Sequence, residues 1–423
     1  MAKIFIETYG CSANMSESEM MAGILEKQGN EITDSIESSD IVIINTCIVK
    51  RPTEIRMIYR IKQLATSRKK LIVAGCMPEA RMKDILKIAP DACMVSTHQI
   101  SKIAEAVKAL ADGEKKYFVG KSAEENTCLP RKRGNSLIGI VEISKGCLGR
   151  CTYCSVKGAK GNLQSYSLQS IIQEIKNSVS EGCKEIWLTS QDCGCYGKDK
   201  GTSLTDLLHE IINIEGDFRV RLGMMNPEHV LLVIDDLIEC MEGDSFYKFI
   251  HIPVQSGSDT VLQRMGRRYN SSDFREIIRE FRNKIPQMNV RTDIIIGFPG
   301  ESRQEFIETV ELIEKTTPDI VNISKFGAMK GTPAAMMRQL EDSIMSKRTR
   351  EISDICRRIT LEGNRQQVGA VRKIFVSDRS KKGLLIGRDE YFRQVALQDS
   401  DSKIGEFVER EIKSASLFGL SVF

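Results

Sequence analysis

Short apolar runs alternate with longer stretches of helical periodicity along most of the chain. The first three runs, KIFIETYG, DIVIINTC and KLIVAGCM, read as strands. Ser16 and Glu19 form a capping box that opens a helix through MMAGILEKQG, and helical stretches follow the other two runs. This alternation predicts a doubly wound parallel sheet over residues 1–112. Residues 113–136 are polar and aperiodic and read as a linker. The alternation resumes at Leu137 with IGIVEIS, EIWLTSQ, RVRLGMM, KFIHIPV, RTDIIIGF and DIVNISKF. Ile171, Ile172, Ile175 and Val179 fall at helical spacing, and Ser302 with Glu305 makes a second capping box. These strand–helix units predict a partial (β/α)6 barrel of the TIM type over residues 137–363. From Asn364 the pattern changes to short strands with Asp, Ser and Gly turns, which predicts a small β-barrel over residues 364–423. The fold class expected is α/β with an all-β C-terminal unit.

Composition narrows the chemistry. Of 423 residues, 41% are hydrophobic and 28% charged, an ordinary globular balance, and the net charge of +4 neither demands nor excludes a polyanionic partner. The start lacks the charged and apolar regions of a secretory signal, and no apolar run reaches the roughly 18 residues of a membrane span. A cytoplasmic protein with reduced thiols and no membrane anchor is expected. Thirteen cysteines, an odd number, then point to metal or redox chemistry rather than a disulfide framework. The only histidines, His98, His209, His229 and His251, are too few for His-rich zinc catalysis.

Three cysteines, Cys147, Cys151 and Cys154, share the loop EISKGCLGRCTYCSVKGAKG after the first barrel strand. Active sites of such barrels are built from these loops. Structural zinc takes four closed ligands, and no fourth cysteine or histidine follows in the loop. A cubane iron–sulfur cluster held by three thiolates keeps one iron open. That iron can take the amino and carboxylate groups of S-adenosylmethionine, and one electron can then split the sulfonium and release a 5′-deoxyadenosyl radical. Cys11, Cys47 and Cys76 each end one of the first three strands. Ligand sites of open parallel sheets lie outside those carboxyl ends, so these three thiols should converge on one edge.

Other candidates follow from position. Thr189, Ser190, Gln191 and Asp192 end the second barrel strand, and Gly297 to Glu301, including Gly300, end the fifth; both are placed to contact S-adenosylmethionine. Arg221 heads for the same face and suits a carboxylate, of S-adenosylmethionine as a cofactor contact or of a neighbouring acid. Cys193 and Cys195 read either as an auxiliary thiol pair or as two small tolerated residues, the second being favoured. Cys93, Cys128, Cys183, Cys240 and Cys356 read as structural. Thirteen basic residues from Lys347 to Arg393, with Tyr391 and Phe392 beside the last of them, suggest an RNA-contacting face.

The C-x3-C-x2-C spacing with Tyr153 before the last cysteine resembles the signature of the radical S-adenosylmethionine superfamily. The whole chain resembles its methylthiotransferases: TYGCSANMSES, INTCIVKRPTE, VAGCMPEAR, KGCLGRCTYCSVKGAKG, HIPVQSGSDTVLQRMGRRY, TDIIIGFPGE and GTPAAMM match family motifs. The tail resembles the TRAM module, which binds RNA. The resemblance implies two 4Fe–4S clusters, one on Cys147, Cys151 and Cys154, the other on Cys11, Cys47 and Cys76. It implies two S-adenosylmethionine molecules, one methylating a sulfur on the second cluster and one supplying the radical. Tyr153 joins the cofactor contacts by the same resemblance. Implied partners are tRNA, an electron donor such as a ferredoxin or flavodoxin, and a sulfur source.

Within the family, CLGRCTYCSVKGAKGNLQSY and EIWLTSQDCGCYGKDKGTSL look most like the archaeal and eukaryotic branch. That branch methylthiolates carbon 2 of N6-threonylcarbamoyladenosine at position 37 of tRNA. Met329, Lys330 and Lys160 depart from residues common in relatives, which leaves substrate contacts open. Two other readings stand beside this one: methylthiolation of a ribosomal protein aspartate, and a zinc-stabilised RNA-binding protein without catalysis.

Overall fold

A computed structural model describes residues 1–398 and 402–423. The N-terminal sheet holds β1 (Lys3–Thr8), β2 (Glu31–Ile32), β3 (Ile41–Thr46), β4 (Lys70–Gly75), β5 (Cys93–Ser96) and β6 (Tyr117–Phe118). All neighbours are parallel, in the order β2-β1-β3-β4-β5-β6. Helices cover both faces. Ile4, Ile43, Ile72 and Val95 pack on one side with Met20, Met21, Leu25, Ile103 and Leu110; Val42, Ile44 and Val73 pack on the other with Met57, Ile61 and Ile85. Residues 113–136, the expected linker, pack against the units on either side. They supply edge strand β6, and Arg131 lies buried with its Nε 2.7 Å from Glu174.

The central unit carries β7 (Ile138–Glu142), a two-stranded ribbon of β8 (Ser144–Lys145) and β9 (Gln164–Ser165), β10 (Glu185–Thr189), β11 (Arg219–Arg221), β12 (Phe249–His251), β13 (Asn289–Ile296) and β14 (Ile320–Lys325). All six expected barrel strands form, as two parallel halves, β7-β10-β11 and β12-β13-β14. A single parallel bridge between Val220 and Phe246 joins the halves. Side chains alternate across the wall. Val141, Ile186, Leu188, Val220, Ile250, Val290 and Ile294 pack outward with the helices. The alternate positions, among them Trp187, Thr189, Arg221, Phe249, His251, Arg291 and Asp293, turn to the lumen.

The Asp342–Arg365 helix leads into the C-terminal sheet of β15 (Val371–Arg379), β16 (Leu385–Arg388), β17 (Gln394–Leu397), β18 (Phe407–Glu411), β19 (Ser414–Ser416) and β20 (Gly419–Ser421). Its order is β18-β15-β16-β17-β20-β19, antiparallel except for β17 with β20, around Ile374, Val376, Val395, Leu397 and Ile412. The basic face expected here is smaller than composition suggests, because four arginines turn inward. Arg348 is 2.7 Å from Glu301, Arg372 3.4 Å from Glu390, Arg388 3.2 Å from Glu185 and Arg393 3.0 Å from Asp319. Phe392 turns inward too. Its ring centroid lies 4.9 Å from that of Tyr247 and 5.0 Å from that of Phe249, so it floors the barrel where the strands begin.

Candidate active site

Cys11, Cys47 and Cys76 lie just past the ends of β1, β3 and β4, which are neighbours in the sheet. Cys11 caps the Ser12–Lys27 helix and Cys76 begins the Cys76–Ile88 helix, so two of the three sit at helix N-termini. Gly10 has φ +120°, and an added Cβ there would meet Cys47 Cβ at 2.8 Å; the turn between β1 and Cys11 needs glycine. The three thiols feel one another's charge. Burial pushes Cys47 up to about 11, with Cys11 adding to it, and burial pushes Cys76 well above the usual thiol range. Lys160 is the cation that opposes this at Cys76.

The second group occupies the loop after β8. Cys147, Cys151 and Cys154 are partly exposed, with the Cys154 amide donating to the Cys151 carbonyl at 3.2 Å. Gly149 donates its amide to Cys147 Sγ at 3.2 Å. A Cβ on Gly149 would lie 3.3 Å from Cys147 Sγ and 3.6 Å from Cys151 Sγ, so the loop cradles both sulfurs against bare backbone. Burial raises the Cys151 and Cys154 thiols, and Arg267 opposes the rise at Cys151. A hydrogen bond from the Cys195 thiol holds Cys147 below its usual value. Desolvated thiols without enough cations around them are a donor set for a metal centre, since a bound metal deprotonates them. Softness of the ligands and their number, three on each site, fit an iron–sulfur cluster with one open iron better than closed zinc.

The two triads approach each other. Ser155, next to Cys154, donates its hydroxyl to the carbonyl of Ile48, next to Cys47, at 2.8 Å. From the same short helix Lys160 reaches Glu17 Oε1 at 2.7 Å and Glu142 Oε1 at 3.3 Å, all three buried. Thr97 also donates to Glu17, and Tyr166 to Glu142 at 2.8 Å.

The remaining candidates are distributed over the barrel top and lumen. Gln191 is engaged in the fold, its Oε1 accepting from the Gly146 amide at 2.7 Å and so tethering the cysteine loop. Ser190 donates to Cys193 Sγ at 3.4 Å and accepts from the Asp192 amide. Thr189 pairs with Glu142 in the ladder. Tyr153 meets Phe298 edge-on at 6.3 Å and lies under Arg267 at 5.8 Å. Gly297 is filled on one side, since a Cβ would meet Met345 Cγ at 2.3 Å; Gly300 has only Arg264 Nε, at 4.0 Å, and is open. Arg221 lies deeper, in register with Trp187, between the rings of Phe249 and Phe392.

Composition gave no reason to single out Arg267, although it lies in the quoted motif VLQRMGRRY. It stacks on Tyr153 and Tyr269 and donates to Asn226 Oδ1 at 2.7 Å. Asp192, Cys195 and His229 were missed as a group: their ligand atoms lie within 4.8 Å of one another. Lys198 Nζ sits 2.8 Å from His229 Nδ1, and with burial it holds the imidazole down at about 4, which opposes a cation there. Cys193 and Cys195 are both fully buried, and only Cys195 touches a sulfur of the loop triad.

Comparisons with known proteins cover the chain in three pieces. Residues 3–97 match the model described as Uncharacterized protein family UPF0004, residues 141–313 the Radical SAM superfamily, and residues 365–419 the TRAM domain. A Pyrococcus abyssi protein named "Probable threonylcarbamoyladenosine tRNA methylthiotransferase" is 42% identical over 98% of this chain and 98% of its own length. The human "Threonylcarbamoyladenosine tRNA methylthiotransferase" is 36% identical over 97% of this chain and 72% of its own length. Among solved structures, the radical S-adenosylmethionine methyltransferase TsrM from Kitasatospora setae superposes with a TM-score of 0.57 at 13% identity. The match covers 79% of this chain and 77% of that one, a likeness of fold.

Proposed function

We propose a specific reaction for this chain, which belongs to the radical S-adenosylmethionine methylthiotransferase family. It is a tRNA methylthiotransferase that uses a 4Fe–4S cluster and S-adenosylmethionine. The finer reading is transfer of a methylthio group to carbon 2 of N6-threonylcarbamoyladenosine at position 37, next to the anticodon. Its support is the substrate in the names of the archaeal and human relatives. Two clusters and two S-adenosylmethionine molecules belong to the same proposal, as do a ferredoxin or flavodoxin electron donor, a sulfur source and a cytoplasmic setting. The domain limits proposed are residues 1–112, 137–363 and 364–423.

The observation that carries the two-cluster reading is the approach of the triads across the 2.8 Å Ser155–Ile48 hydrogen bond. Cys147, Cys151 and Cys154 would hold one cluster, and Cys11, Cys47 and Cys76 the other. When bound, such clusters supply the electron that cleaves S-adenosylmethionine and a seat for the sulfur to be transferred. The chain's own residues place and enclose them. Gly149 leaves room for two sulfurs, Gln191 fixes the loop, and Lys160 puts a buried positive charge beside Cys76. Exposed basic residues of the C-terminal sheet, such as Lys373, Arg379, Lys381 and Lys382, remain available to RNA phosphates.

The test is anaerobic reconstitution followed by metal analysis and an assay on tRNA carrying threonylcarbamoyladenosine. About eight irons per chain, the sum of two cubanes, and a nucleoside heavier by one methylthio group in place of one hydrogen are the expected results. Zinc in place of iron, or thiolation only of a ribosomal protein, would overturn the reading.

A further inference from the structure

The middle layer of the barrel lumen holds two arginines with no acid of their own. Arg221 projects from β11 and Arg291 from β13, and both guanidiniums stack on the ring of Phe249, at 5.5 Å and 5.4 Å. Arg221 also lies 5.9 Å from the ring centroid of Phe392, which the C-terminal unit inserts from below. Among the described residues neither guanidinium has a carboxylate within ion-pair distance, and the buried Nε of Arg291 has no hydrogen-bond partner.

The acids nearby are committed elsewhere. Glu185 accepts from Tyr247 at 2.9 Å and pairs with Arg388. Asp293 is the acid whose charge is felt by Arg291, but it makes no ion pair with it and lies 2.6 Å from His251 Nε2. Both arginines are partly exposed, not sealed in the wall. Burial, together with the like charges of Arg291 and Arg388, lowers Arg221 to about 10. Arg221 is desolvated beside a like charge, and Arg291 leaves its Nε donor unused. An arginine fork is built to take a carboxylate with two parallel hydrogen bonds, and the site is relieved when an anion enters.

We propose that Arg221 and Arg291 clamp the carboxylate of the substrate's threonylcarbamoyl group, with Phe249, Phe392 and Trp187 lining the space around it. This rests on the substrate reading above and deepens it, giving a physical reason why a carboxylate-bearing base is preferred over one with a purely apolar substituent. It gives Arg221 a substrate carboxylate in place of the cofactor contact expected of it. Arg221 is in register with Trp187 and, through it, with Ile140, one lumen layer below Glu142 and Thr189. The Cys147 loop begins beyond that upper layer.

The experiment compares anticodon stem–loop RNA carrying threonylcarbamoyladenosine with the same RNA carrying its methyl ester. Losing one member of a desolvated charge pair removes about 30-fold or more from kcat/KM. The wild type should therefore favour the acid by at least that factor. Arg221→Met and Arg291→Met should each lose a similar factor on the acid and most of the preference for it, and the double variant should treat acid and ester alike, within about 3-fold. Their iron content should match the wild type. Equal wild-type rates on acid and ester would overturn the clamp without relying on any variant. Variants that keep the preference, or that lose S-adenosylmethionine cleavage instead, would overturn it while the substrate reading stands. Failure of the wild type on the acid would overturn the substrate reading and the clamp together.

Discussion

The two cysteine triads are built by opposite means. Cys147, Cys151 and Cys154 are close because the chain is short between them, and their loop stays partly exposed. Cys11, Cys47 and Cys76 are close because β1, β3 and β4 are neighbours in one parallel sheet, and two of the three are buried. A local triad needs only the right loop, whereas an assembled one needs the whole domain folded in register. On the proposed reading the difference teaches where each function is exposed to damage: cleavage of S-adenosylmethionine would depend on a loop, and sulfur delivery on a fold. Each triad can therefore be removed to see whether the two half-reactions separate.

The largest effect is expected from that removal. Cys147/Cys151/Cys154→Ala should abolish S-adenosylmethionine cleavage altogether and leave about four irons of eight. Cys11/Cys47/Cys76→Ala should also leave about four, yet keep cleavage while forming no methylthio product. Deoxyadenosine and product, quantified in parallel by mass spectrometry, read both halves. Loss of cleavage in the second variant would mean that the triads do not act separately.

The same contrast explains what could be read in the sequence. The loop motif was legible because spacing alone defines it. The strand-end triad was legible one step further, through the rule that parallel sheets collect ligands at their carboxyl ends. Six barrel strands followed from alternating patterns such as RTDIIIGF. What escaped were contacts between distant segments. Nothing local in CYGKDK or PEHV says that Lys198 and His229 meet at 2.8 Å. Nothing in GRDEYFRQ says that Phe392, at φ +61°, leaves its own sheet to floor the barrel. The basic run before it looked like one surface, but a charge count does not distinguish Arg393, paired with Asp319, from exposed Lys381. The expected linker holds a contact that escaped for a related reason. Polar composition hid the buried pairing of Arg131 with Glu174, which depends on a helix 43 residues away.

An intermediate effect is expected at Lys160, the buried cation between the two triads. Lys160→Met leaves Glu17 and Glu142 without their ammonium. Removing one partner of a buried ion pair typically destabilises by about 3–5 kcal/mol. Chemical denaturation at neutral pH should show a loss of that order, softened by Lys145, which also faces Glu142. The pH dependence gives a second check. Burial acts to raise the Glu142 carboxyl, but Lys160, Lys145 and Tyr166 together hold it below the usual carboxylate range. A carboxyl held low stabilises the fold above its ordinary pKa, and that contribution is lost as pH falls through the folded value. The gap between wild type and Lys160→Met should therefore be widest near neutrality and narrow in acid. Lys160→Arg keeps the charge and should recover most of the stability. A gap that does not change with pH would show that packing, not charge, is what the lysine provides.

The smallest and sharpest probe is Ser155→Ala. It removes one hydroxyl and the 2.8 Å hydrogen bond to Ile48 without touching any cysteine. A buried hydrogen bond contributes about 1 kcal/mol, so the protein should fold and take up iron as before. If the bond does no more than join two domains, cleavage and transfer will fall together or not at all. If it sets the distance between the triads, cleavage stays at the wild-type rate while methylthio product falls several-fold, about 5-fold for 1 kcal/mol, and deoxyadenosine accumulates without product. That uncoupled ratio is the expected outcome. It depends on geometry between the sites rather than on either site alone, which is where the loop-built and the sheet-built triads have to agree.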